Sequence, residues 1–271
     1  MKGTVVALDE IAGRKAAARL VNGQLDDLIV APKEAARPVP GAICRAICDR
    51  PVKGQGGMFV KLPEGGTGFL RGATGLRPGQ AMLVQVTGWA EAGKATPVTD
   101  RVLFKSRYAI VTPGAPGINI SRKIRDEEAR VALREIAHEA MAGVEGAGLI
   151  LRSAAAGADA GAVAEDIAAM RDLAAAVLAD AAGEPELMVE GPDPHELAWR
   201  DWDAPELLAE APGSFAAHGV DEMIATLQRA ELPLSGGFLS YIAPTRALVA
   251  VDVNTGPDTP PAAGLQRTLA V

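Results

Sequence analysis

PGAICRAICDRPVKGQGGMFVKLPEGGTGFLRG, residues Pro40–Gly72, is the stretch whose reading decides the fold. Apolar and polar residues alternate in short runs, and each run is closed by glycines, the pattern of half-buried strands joined by tight turns. PGQAMLVQVTGWAEAGKATPVTD, residues Pro78–Asp100, continues in the same style. Five short strands in about 65 residues read as a small closed β-barrel of the OB type.

On the N-terminal side, TVVALDEIAGRKAAARLVNGQLDDLIVA alternates over Thr4–Ala31, with Asn22-Gly23 as a hairpin signal between strands. On the C-terminal side, SRYAIVTP is a further strand, followed by a Gly/Pro loop up to residue 120. Asp126 then opens a helix with Leu133, Ile136, Ala137, Ala140 and Met141 on one face, and Gly143 ends it. GAGLILRSAAAG is a strand running into a loop. Ala162–Ala182 is a second helix with Val163, Ile167, Met170, Leu173, Val177 and Leu178 as its apolar stripe. Residues 184–215 read as a strand and then loops. Gly219–Arg229 reads as a shorter helix with Met223, Ile224 and Leu227 facing inward. The segment GGFLSYIAPTRALVAVDVNTG closes as a hairpin with a Pro-Thr turn. The fold class is therefore α+β.

The 271 residues suffice for one large or a few small domains, with aliphatic rather than aromatic cores. The net charge of −7 argues weakly against nucleic acid. Locally the balance reverses, because Arg101 to Arg134 holds eight Lys/Arg against three Asp/Glu. Cys44 and Cys48 lie in an alternating run with no second pair to complete four zinc ligands, so they read as core thiols. The N-terminus has no apolar signal core and no run is long enough to span a bilayer, so a reducing cytoplasm and no membrane partner are expected. His138, His195 and His218 show no ligand spacing. Glu165-Asp166 and Asp221-Glu222 sit near helix starts, where acids suit the dipole, and receive no chemistry.

Some residues invite a functional reading. Phe59 and Phe69 flank the LPEGGTG turn at equivalent places, either to stack bases or to fill the barrel. Lys94 lies in a glycine loop, either solvated or on a phosphate. Arg152 and Ser153 end a strand where a loop begins, a guanidinium beside a hydroxyl that suits a terminal phosphate or an ordinary surface. ALVAVDVNTG, Ala247–Gly256, reads as a buried strand with an acid in it. An unpaired buried carboxylate is costly. Asp252 then either caps the following turn or takes a catalytic role, with Asn254 on the same side of the strand.

Four stretches in order, the barrel sequence, GINISRKI, GLILRSAA and LPLSGGFLSYIAPTRALVAVDVNTG, resemble the ribonuclease E/G family of bacterial endoribonucleases over nearly the whole chain. The resemblance implies an RNase H-like subdomain from residues 1–35 and 200–243, interrupted by an OB-fold RNA-binding barrel at 36–100 and a small α/β five-prime sensor at 101–199. Residues 244–271 would begin a DNase I-like catalytic subdomain. It implies base stacking by Phe59 and Phe69, RNA contact by Lys94, and five-prime-phosphate binding by Arg152, Ser153 and Gly117. It further implies a Mg²⁺ ion on Asp252, with Asn254 beside it, for hydrolysis of single-stranded RNA during processing and decay.

The departures from the family pattern are equally specific. Serine stands for threonine after Arg152, Asn119 interrupts the glycines before Ile-Ser-Arg, and Arg246 replaces an acid. The family's second metal-binding aspartate, and the cysteine pair that links protomers through zinc, would lie beyond Val271. The expectation is thus a truncated Mg²⁺-dependent endoribonuclease, with homo-oligomers in the full-length protein and no DNA-specific role. Its alternative is a non-catalytic RNA-binding fragment.

Overall fold

The computed structural model describes residues 3–33, 38–52, 54, 56–91, 93–234 and 238–254. The chain divides into two compact units, residues 1–9, 18–28 and 205–271, and residues 10–17 and 29–204. The tail Pro257–Val271 lies outside the described residues.

The N-terminal strands β1 (Thr4–Ile11), β2 (Arg14–Val21) and β3 (Gln24–Val30) form a meander. At the β2–β3 turn Asn22 and Gly23 both take positive φ, 52° and 79°, which lets a two-residue turn follow the strand twist. The expected hairpin is present.

The barrel comprises β4 (Ile43–Val52), β5 (Gly57–Lys61), β6 (Thr67–Arg71), β7 (Ala81–Val86) and β8 (Thr96–Thr99). They run in the order β4-β5-β6-β8-β7, and β7 pairs back onto β4, so the sheet closes with only β6 and β8 parallel. This is a closed five-stranded barrel consistent with an OB-fold. Its core is small and aliphatic: Ala42, Cys44, Ala46, Val60, Leu62, Leu70, Val84, Val86 and Val98. Both cysteines are free and buried, and burial pushes the Cys44 thiol up to about 11.

A second sheet, ordered β11-β12-β10-β9, holds β9 (Phe104–Lys105), β10 (Ala109–Pro113), β11 (Gly117–Ile120) and β12 (Ala147–Leu151). Gly117–Ile120 was expected as loop but is a strand parallel to β12, its alternation shortened by the flanking glycine and serine. Helices α1 (Glu127–Ala140) and α2 (Ala160–Ala179) pack with this sheet around Phe104, Val111, Leu133, Ala137, Leu149, Leu151, Val163, Ile167 and Val177. Asp126 and Asp159 cap the two helices by accepting from Glu128 N and Ala162 N. The second helix therefore starts two residues earlier than its apolar stripe suggests. Leu178, assigned to that stripe, is exposed.

After β13 (Glu186–Val189), which extends the barrel sheet beside β4, comes α3 (Pro194–Asp201), a helix where loops were expected. Asp193 accepts from the Glu196 amide while the Glu196 carboxylate accepts from the Asp193 amide, a complete capping box with proline in the first turn. The signal was present in DPHE and was masked by proline and tryptophan density.

Arg45 ties the barrel to α2. Its buried guanidinium donates to the Asp180 carbonyl at 2.9 Å, the Asp180 carboxylate at 2.8 Å, the Glu184 carbonyl at 2.7 Å and the Glu186 carboxylate.

In the other unit, β14 (Leu207–Ala209) lies parallel to β1, with Val5 opposite Leu207. The short helix α4 (Ser214–Ala217) is held by Ser214 Oγ donating to the Leu8 carbonyl and by the Phe215 amide donating to Asp9. In α5 (Val220–Leu227), Met223 and Ile224 are half-buried, but Leu227, expected inward, is exposed. The last sheet is β15 (Glu231–Leu234), β16 (Phe238–Pro244) and β17 (Val249–Asn254), antiparallel in that order. In the described part of ALVAVDVNTG, Ala247–Asn254, the expected burial is not met. Val249 is 61% and Val251 53% exposed, Ala250 between them is exposed too, and Val253 is half-buried. Apolar sequence sets a strand's preference for burial, but burial itself needs a covering layer.

Candidate nucleic-acid interface

Strict alternation along β5 and β6 puts Val60 and Leu70 into the barrel and therefore Phe59 and Phe69 on its outside. The two rings form a direct cross-strand pair, 5.6 Å between centroids and inclined by 56°. Phe69 lies over Gly57, where a Cβ would come within 2.5 Å of the ring and 2.9 Å of the Leu70 carbonyl. The Arg50 guanidinium sits 5.2 Å from the Phe59 centroid. Aromatic filling of the barrel core, one of the two readings of these residues, is thus excluded by where the rings point.

The pair forms one wall of an open cleft, with Arg71 and Lys94 on the same cleft. Lys94 is exposed on the β7–β8 connection and pairs with Glu91 at 2.5 Å. Sequence reasoning missed two contributors here, Arg50 and Trp89. An arginine near a sheet aromatic has no spacing signature. Trp89 follows Gly88 in a loop, where a lone aromatic has no periodic partner to mark its side.

A second cationic cluster lies where β12 ends. Arg152 Nη2 donates to Asp201 Oδ1 at 2.7 Å, Lys105 Nζ reaches the same oxygen at 2.8 Å, and Arg200 Nη2 meets Asp201 Oδ2 at 2.8 Å. Arg152 Nη1 also donates to the carbonyls of Ser106 at 2.5 Å and Arg200 at 2.7 Å. Burial opposes ionisation of Asp201, but hydrogen bonds and charge from Arg200 and Lys105 outweigh it and hold the carboxyl well below the usual carboxylate range. Next to this cluster Arg107 stacks on the Trp199 ring at 4.1 Å and donates to the Trp199 carbonyl. Ser153 begins a short 3-10 turn directly after Arg152 and is half-buried.

Gly117 is not part of this cluster. Parallel register sets it opposite Gly148 and sets Ile120 opposite Leu151, so Gly117 and Arg152 stand at opposite ends of the strand pair. The separation is about 13 Å at a strand's rise per residue. The β11 residue nearest Arg152 is Ile120, and just past the strand the Ser121 amide donates to the Leu151 carbonyl.

Asp252 lies on β17 opposite Tyr241 and is exposed; Asn254 shares its face. As a Mg²⁺ site these residues supply one carboxylate and one amide, and among the described residues no group of three His, Cys, Asp or Glu converges. Mg²⁺ takes one or two carboxylates plus waters and substrate oxygens. The donor set is incomplete here, and no chemical step is derived through the ion.

Among the histidines and paired acids, His195 and Asp166 have local partners. His195 places Nε2 3.0 Å from the Ala16 carbonyl, and Asp166 accepts from Ser106 Oγ and the Tyr108 amide. No helix among the described residues is long and apolar enough to cross a membrane.

Residues 104–207, from β9 to the start of β14, match the profile of the Ribonuclease E/G family. Ribonuclease E of Nostoc sp. (strain PCC 7120) is 26% identical over 232 residues, covering 72% of this chain and 33% of the relative. Ribonuclease E of Synechocystis sp. (strain PCC 6803) is 32% identical over 114 residues, covering 40% of this chain and 17% of the relative. The chain therefore spans a third or less of the length of these curated relatives.

Proposed function

We propose, from the match of residues 104–207 to the ribonuclease E/G family and the similarity to ribonuclease E, that this chain is an RNA-processing protein that lays single-stranded RNA across the outer face of its barrel. The observation that carries the proposal is the Phe59–Phe69 pair, turned out of the core and flanked by Arg50, Arg71 and Lys94. Exposed aromatics offer π-faces to successive bases without sequence preference, while cations follow the phosphates. Lys94 exchanges Glu91 for a backbone phosphate as RNA arrives.

A five-prime monophosphate is read at the Arg152–Ser153 end of β12. Three cationic side chains already converge there on a single carboxylate, an arrangement a phosphate monoester also satisfies. The phosphate takes the place of Asp201 on Arg152 and accepts from the Ser153 hydroxyl.

Asp252 supplies one ligand to a Mg²⁺ ion, steadied by Asn254, with the remaining donors contributed from outside the described residues. Asp252 and Asn254 would hold the ion, and the chemistry it would supply is Lewis-acid polarisation of a phosphate and activation of a water for cytoplasmic RNA hydrolysis. The interrupted RNase H-like architecture is supported by the pairing of β14 with β1. A DNase I-like continuation beyond β17 and oligomerisation of the full-length protein belong to the same reading. The exposed, singly acidic face of β17 favours a second reading for these 271 residues alone, RNA binding without cleavage.

Binding of a labelled single-stranded RNA, read by anisotropy, tests the barrel face. Phe59→Ala weakens it by about 5- to 150-fold, the loss of one base stack; unchanged affinity refutes the assignment. Mg²⁺-dependent cleavage of a five-prime-phosphorylated oligonucleotide, abolished in Asp252→Ala, supports the enzyme. Binding with no cleavage at any Mg²⁺ concentration supports the second reading.

A further inference from the structure

Trp89 stands on the β7–β8 connection, 48% exposed. Burying a tryptophan is among the largest single gains a small barrel has available, and the barrel core leaves this one out. The ring lines, with Phe59, Phe69, Arg71, Lys94 and Pro97, the cleft of about 780 Å³ already described. A third aromatic ring thus lines the same cleft as the phenylalanine pair. Lys94, paired with Glu91, lines the same cleft.

We infer that Trp89 forms a third base subsite, seating the nucleobase that follows those on Phe59 and Phe69. The inference rests on the barrel-face reading above and extends it by one nucleotide. Indole presents the largest π-face among side chains, so the subsite favours purines over pyrimidines through stacking area, with no hydrogen-bond readout. Lys94, five residues on along the same loop, then meets the phosphate of that third nucleotide.

The experiment measures RNA affinity of the full chain by anisotropy and, separately, quenching of tryptophan emission. Trp89→Ala weakens binding of an adenosine octanucleotide by about 5- to 150-fold, and Trp89→Phe retains most of the affinity. A dinucleotide, short enough for the phenylalanine pair alone, is insensitive to Trp89→Ala. RNA quenches part of the emission in the unsubstituted protein, and this part vanishes in Trp89→Phe, whose circular dichroism is unchanged. If Phe59→Ala loses affinity while Trp89→Ala does not, the third subsite is overturned and the barrel face stands. Should Phe59→Ala also leave affinity unchanged, the barrel face itself falls.

Discussion

Asp201→Asn is the substitution that tests most directly how the sensor end is built. The carboxylate is 29% exposed and accepts from three cationic groups at 2.7–2.8 Å. Charge-assisted hydrogen bonds contribute about 1.5–3 kcal/mol each when sheltered, and exposed ion pairs contribute about 0–1 kcal/mol. Asparagine keeps one acceptor oxygen for Arg152 and Lys105, but its amide turns a donor toward Arg200. Weighing one lost pair fully and two partly, Asp201→Asn costs about 2–3 kcal/mol at neutral pH. Urea unfolding followed by the fluorescence of Trp199 and Trp202, which lie on and just after α3, reads this as a midpoint lowered by about 1–1.5 M at a slope of about 2 kcal/mol/M. The pH dependence has a definite sign. The carboxyl is depressed in the folded state. Its contribution is therefore full above the unfolded value of about 4, and is lost as pH falls through the folded value. The unsubstituted protein loses stability below about pH 4 more steeply than Asp201→Asn does. Equal midpoints at neutral pH, or parallel acid limbs, would refute the assignment of Asp201 as the anchor of Arg152.

Two further expectations concern the barrel. Arg45→Met removes donors from the carbonyls of Asp180 and Glu184, while the carboxylate partners, more than half exposed, regain water. A loss of about 2–3 kcal/mol in urea unfolding is expected, and a loss below about 0.5 kcal/mol would show that β4 and α2 do not depend on it. Gly57→Ala forces the Phe69 ring and the Leu70 strand apart, costing about 1–3 kcal/mol and displacing Phe69, so RNA affinity drops even though no RNA-contacting side chain is changed. A crystal structure of Gly57→Ala with Phe69 unmoved would contradict this.

The sequence by itself was enough for the barrel. Period-two alternation and glycine turns are local signals, and they placed five strands and two buried cysteines without knowledge of their neighbours. The helices α1 and α2 were legible for the same reason, from a cap and an apolar stripe. Even α3 carried its own capping box, overlooked among proline and tryptophan. What the sequence could not determine were properties that depend on pairs far apart in the chain. Phe59 and Phe69 had two readings until the direction of alternation around the closed barrel turned them outward. Arg152 looked free for a ligand, yet Asp201, 49 residues away, meets its guanidinium. Gly117 seemed to join the same pocket, and only the parallel register of β11 and β12 put it at the other end. The apolar run around Asp252 announced burial, but burial requires a second layer that no single strand encodes. Local chemistry writes the elements into the sequence, whereas charge pairing, register and covering layers exist only once distant segments meet in three dimensions.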